Sequence, residues 1–146
     1  MLVSAVCLSF ALGFSCVALA QKPEAKLSVS QPRPAKVLVQ VVPNLIRFET
    51  KRFDVPAGGM VEVTLKNGCI VPHNIVFLGK DAEPAVIAGV NAMGVEGISK
   101  NYVPEVPGIL ASSRLLAPKG SEVLKFKAPV EPGDYLFLCT FPGHWF

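Results

Sequence analysis

Histidine is nearly absent from this 146-residue chain, which has two, His73 and His144. Charge is absent from its first twenty residues, MLVSAVCLSFALGFSCVALA. Beyond them 14 Lys and Arg stand against 11 Asp and Glu, a net charge of +3. No basic run and no interleaving of aromatic with basic residues occurs, which argues against nucleic acid as a partner. No internal repeat is present, and no low-complexity tract apart from one short proline-punctuated stretch near the N-terminus. Cysteine is scarce as well: past the uncharged leader only Cys69 and Cys139 remain, enough for one disulfide at most.

The uncharged leader ends in Ala18-Leu19-Ala20, the small-residue pattern of a signal-peptide cleavage site. Residues 1–20 are therefore expected to be a signal peptide cut before Gln21. No Lys or Arg precedes the apolar run, and twenty apolar positions just suffice to span a bilayer, so an uncleaved membrane anchor is the second reading. Gly13-Phe14-Ser15 before Cys16 lacks the leucine of a lipoprotein signal. Export would place the protein in the periplasm or outside the cell. In such an oxidising compartment the plain reading of two cysteines is a disulfide. Residues 21–35, polar and rich in proline, are expected to be a flexible linker. Residues 36–146 are left for one domain, large enough to bury its own core.

That domain reads as strands. Val37, Val39 and Val41 alternate, and Pro43-Asn44 ends the run. Phe48 to Phe53 reads as a second extended segment, Pro56-Ala57-Gly58-Gly59 as a turn, and MVEVTLK from Met60 to Lys66 alternates cleanly. Ile75 to Leu78 is a short apolar strand, Glu122 to Lys127 another alternating one, and YLFLC a last one ending at Cys139. Short strands divided by Pro/Gly turns predict an all-β Greek-key sandwich or barrel. One stretch departs from this: 81–119 is rich in Ala, Gly and Pro, with a helix expected from Glu83 to Met93 and loop beyond it. It reads as an excursion packed over one face.

The two histidines stand in distinctive settings, VPHN and CTFPGHW. A lone histidine is more often structural than a ligand, but His144 shares a loop with Cys139. Five residues apart, the two would diverge on a helix and face opposite sides of a strand. Only a tight turn aims both at one point, and Pro142-Gly143 supplies it. A second histidine from a neighbouring strand end would complete a His₂Cys set, the donor set of blue-copper electron-transfer sites.

NGCIVPHNIVFL (Asn67 to Leu78) and PGDYLFLCTFPGHW (Pro132 to Trp145) resemble the two copper-binding stretches of the cupredoxins, the azurin and auracyanin type in particular. FDVPAGGMVEVTLKN and the segment YVPEVPGILASSRLLAPKGSEVLKFKAP resemble that type too, so the likeness covers 36–146. The resemblance implies a cupredoxin-like fold and one type 1 copper ion held by His73, Cys139 and His144. It implies that the Asn74 side chain ties the ligand loops together near Thr140, and that the backbone N–H groups of Asn74 and Phe141 point at the Cys139 sulfur. Pro72 stands where azurins have glycine, as in plastocyanin-like members, which points away from a close axial carbonyl.

The family pattern also has an axial methionine a few residues after the second histidine, followed by a last strand. Here only Trp145 and Phe146 follow, and Met60 and Met93 sit far from the loop in sequence. The last strand is thus expected to be missing. A truncated chain, a three-coordinate site and a degenerate member that holds copper poorly all remain open. A missing strand would expose a neighbouring strand edge and lower stability. Cys69 reads as a small buried residue near the site. The function implied is a one-electron carrier between redox proteins that dock transiently near His144, with the N-terminus a possible membrane tether. Copper binding for delivery is the alternative, but it predicts Met- or His-rich tracts that are absent. An enzyme is not expected, because a second copper centre needs histidines this chain does not have to spare.

Overall fold

The computed structural model describes residues 33–145. The expected signal peptide and most of the expected linker lie outside the described residues. Among the described residues no helix is long and apolar enough to cross a membrane.

Two three-stranded sheets form a β-sandwich. In the first, β1 (Ala35–Val41), β2 (Met60–Asn67) and β5 (Ser121–Lys127) lie in the order β1-β2-β5. β1 runs parallel to β2, with Val37 opposite Val63, and β5 runs antiparallel to it, with Leu124 opposite Val63. The second sheet has the order β4-β3-β6, from β3 (Val76–Leu78), β4 (Ile109–Ser112) and β6 (Phe137–Leu138), all antiparallel.

Period-2 alternation in β1 and β2 does what side-chain geometry requires. Val39, Val41, Val61, Val63 and Leu65 turn inward and are fully buried, while Leu38 and Lys66 face out. They meet Ile75, Phe77 and Leu124 between the sheets. β3 explains why its own sequence does not alternate. Phe77 faces the sandwich interior, whereas Val76 and Leu78 face a second core under the helix α1 (Glu83–Met93). A strand covered on both faces reads as a continuous apolar run.

The helix takes the span expected from the sequence. Pro84 stands at its first positions, Glu83 sits where the helix dipole favours an anion, and Gly94 ends it at φ 51°. Val86 and Val90, four apart, form its buried stripe against Val76, Leu78 and Leu138. A 3₁₀ turn (Gly94–Gly97) follows.

Three expectations need correction. Phe48 to Phe53 forms no ladder strand: Phe48 makes an isolated bridge to Val41, and Glu49 N–H donates to the Gln40 carbonyl. Its Phe48 and Phe53 rings pack instead on Phe137. The loop expected after the helix contains β4, a four-residue strand paired with β3 that carries no alternating pattern to betray it. YLFLC is regular only over Phe137–Leu138. Among the described residues β6 pairs with β3 alone, leaving its other edge open. Beside it runs a cleft of about 440 Å³ lined by Phe53, Phe77, Phe126 and Phe137.

Candidate metal centre

His73, Cys139 and His144 converge at one end of the sandwich. His73 lies ahead of β3, and its backbone is fixed by a bridge to Leu116: His73 N–H donates to the Leu116 carbonyl (3.1 Å), and the His73 carbonyl accepts from Leu116 N–H (2.8 Å). Cys139 directly follows β6, so it inherits the register that sets Leu138 opposite Val76. His144 is turned back by Phe141-Pro142-Gly143. His144 N–H donates to the Phe141 carbonyl at 3.0 Å, and Gly143 has φ 84°. Proline followed by a residue of positive φ is the signature of a type II turn, which explains why glycine stands there.

The donors face one another. His144 Nδ1 lies 3.3 Å from His73 Nδ1 and 3.6 Å from Cys139 Sγ. All three donor atoms fall within 4.8 Å of each other. Metal–nitrogen bonds of about 2.0 Å and metal–thiolate bonds of about 2.3 Å, at tetrahedral to trigonal angles, set nitrogens roughly 3.3–3.5 Å apart and nitrogen from sulfur roughly 3.5–3.7 Å. The two observed separations match these values. Two imidazole nitrogens and a thiol sulfur turned inward at this spacing fit one metal ion. His73 is 1% exposed, and its Nε2 has no hydrogen-bond partner among the described residues.

Electrostatics keep the metal-free site neutral. Burial pushes the Cys139 thiol up to about 11, against the pull of the Asn74 and Phe141 backbone N–H groups that donate to its sulfur. Burial, with His144 alongside, lowers His73 to about 4, and burial lowers His144 as well. Both imidazoles are therefore unprotonated and ready to coordinate at neutral pH, and only the thiol has a proton to lose.

Asn74, fully buried, joins the loops of His73 and Cys139. Its Nδ2 donates to Thr140 Oγ1 (2.7 Å), and its Oδ1 accepts from Thr140 N–H (2.8 Å). Phe141 contacts the His144 ring at a centroid distance of 4.8 Å. Cys69 and Cys139 are both free and buried, so no disulfide competes for the thiol. Met60 begins β2, at the opposite end from Asn67, roughly 20 Å away along the strand. Met93 is the last residue of α1.

Sequence reasoning missed two supports. Asn67 is more than a turn residue: its Nδ2 donates to the carbonyls of Val71 (2.9 Å) and Leu116 (3.0 Å), and its Oδ1 accepts from Cys69 N–H (2.9 Å). It thus shapes the loop that carries His73. The second is Asn101, whose carbonyl accepts from Asn74 Nδ2 at 2.7 Å. Both bonds to distant carbonyls join residues far apart in sequence, where spacing gives no signal.

Residues 35–146 match the family of copper binding proteins described as plastocyanin/azurin. Auracyanin-B of Chloroflexus aurantiacus is 29% identical over 130 residues, covering 86% of this chain and 54% of that protein. Auracyanin-A of the same organism is 37% identical over 103 residues, covering 68% of this chain and 62% of that protein. The chain thus spans little more than half to three-fifths of these relatives' lengths. Solved as a "blue" copper protein, auracyanin A superposes with a TM-score of 0.69 at 29% identity, over 77% of this chain and 92% of that one. Dithionite-reduced auracyanin from Roseiflexus castenholzii superposes with a TM-score of 0.68 at 32% identity, over 76% and 88%.

Proposed function

The chain belongs to the plastocyanin/azurin family of copper-binding proteins, and from that premise we propose that it is an exported one-electron carrier holding one copper ion on His73, Cys139 and His144. The observation that carries this reading is the convergence of two Nδ1 atoms and one Sγ within 4.8 Å. Bound there, copper would supply a one-electron couple. The chain's part is to hold the donors still. His73 is locked to Leu116, Cys139 follows β6, and Asn74 joins their loops through Thr140. A donor set held this tightly changes little between oxidation states, which keeps transfer fast.

His144 is the half-buried member of the set and lies nearest solvent. Its ring edge, framed by Phe141, Pro142 and Trp145, is the port through which a redox partner would exchange electrons after weak, transient docking. Relatives solved as a "blue" copper protein and in a dithionite-reduced state support a redox role. The uncharged leader with its Ala18-Leu19-Ala20 end supports export to the periplasm or beyond. Both histidines are used in this one site, which supports a carrier rather than an enzyme.

The test is to purify the protein, add Cu(II), and record the visible and electron paramagnetic resonance spectra. An intense thiolate-to-copper band, lost in Cys139→Ser, is the expected result. A colourless protein that takes up only zinc, or no metal, refutes the reading.

A further inference from the structure

Asn101 and Tyr102 are consecutive non-glycine residues with left-handed backbone, at φ 55° and 52°. Such backbone is costly for a residue with a Cβ, and two in a row persist only where the surroundings require them. Local bonds hold the pair in place: Asn101 N–H donates to the Ile98 carbonyl (3.1 Å), and Tyr102 N–H to the Gly97 carbonyl (2.7 Å).

The strained pair reaches neighbours of all three donors. The Asn101 carbonyl accepts from Nδ2 of Asn74, which adjoins His73 and binds Thr140 beside Cys139. Asn101 Oδ1 accepts from Leu115 N–H at 2.9 Å, and the next residue, Leu116, is paired to the His73 backbone. The Tyr102 ring meets Phe141 edge-on at 5.3 Å, and Phe141 lies against His144.

We propose that Asn101 is a positioning residue for the metal centre, setting the placement of His73 relative to Cys139 through Asn74 and Leu115. It touches no donor itself. A residue needed only for its positive φ could be glycine; the side-chain bond to Leu115 requires an oxygen at Oδ1. Asparagine supplies that oxygen while tolerating left-handed backbone.

The inference rests on the copper reading above, and its test separates the two. In the full chain, Asn101→Gly, Asn101→Asp and Asn101→Val are compared with Asp81→Val. Asp81 holds the same kind of strained backbone, φ 59°, at the start of the same excursion. Two readouts are taken: amide exchange of Leu115 and Thr140 in the metal-free protein, and the visible and paramagnetic resonance spectra after Cu(II) loading. Asn101→Gly is expected to speed Leu115 exchange about tenfold and to shift the copper spectrum, since one hydrogen bond is lost. Asn101→Val should also speed Thr140 exchange. Asn101→Asp, which keeps the oxygen, should match wild type, and Asp81→Val should leave both readouts unchanged. The proposal is overturned if Asn101→Gly leaves Leu115 exchange and the copper spectrum at wild-type values, or if Asp81→Val moves them as far. Should Asn101→Val fail to fold, Asn101→Gly decides alone. If the wild-type chain takes up no copper, the function proposed above falls, and the exchange data still decide the role of Asn101.

Discussion

Metal uptake by this site should release one proton, from Cys139. With the thiol pushed up to about 11, roughly one molecule in 10⁴ carries a thiolate at pH 7. Both imidazoles, lowered by burial, are already neutral there. Between pH 7 and 9 the apparent affinity should therefore rise about tenfold per pH unit, the slope of a single released proton. Toward acid the slope should steepen as His144 begins to compete, and steepen again near pH 4 as His73 does. Zn(II) is the suitable probe, because it cannot oxidise the two free thiols at Cys69 and Cys139. Titration against a competing chelator gives the slope, and calorimetry in buffers of different ionisation heat counts the protons. A flat profile from pH 7 to 9 would show that Cys139 is no ligand or is already ionised. A slope of two would show an imidazole still protonated, and either result refutes the electrostatic account.

Other expectations follow from the same contacts. His73, lowered to about 4 by burial and by His144, should make the metal-free fold lose stability as pH falls from 6.5 toward 4. The loss has a ceiling of about 3 kcal/mol and should be largely absent in His73→Leu, as read by urea unfolding across pH. Asn74→Ala strands Thr140 N–H, Thr140 Oγ1 and the Asn101 carbonyl, and should cost about 3 kcal/mol in the same assay. A value under 1 kcal/mol would contradict the network. Gly143→Ala, at φ 84° with open space around its would-be Cβ, should cost only about 1 kcal/mol of turn strain and still bind metal.

The alternating runs Val37–Val41 and Val61–Leu65 were legible because period 2 with β-branched residues has one physical solution, a half-buried strand. Glu83–Met93 was legible from its proline start, its glycine end and the four-residue spacing of its valines. β4 was not: Ile109–Ser112 owes its extended form to a partner, β3, rather than to its own residues. Phe48 to Phe53 failed in the opposite sense, since its strand-like residues serve an aromatic cluster with Phe137. At the site, the donors were legible because a thiol, a Pro-Gly turn and a histidine carry their geometry in their spacing. Asn67 and Asn101 were not, because what each asparagine does depends on hydrogen-bond partners that folding brings from far along the chain.

The covering of β3 on both faces also bears on the chemical lifetime of the metal-free protein. Cys139 hangs from the β3–β6 ladder, 4% exposed and nearly always protonated at neutral pH. Peroxide and alkylating reagents attack thiolates that they can reach. Damage at this sulfur must therefore wait for a motion that uncovers it, so the alkylation rate of Cys139 serves as a clock for opening of the loops that carry the donors.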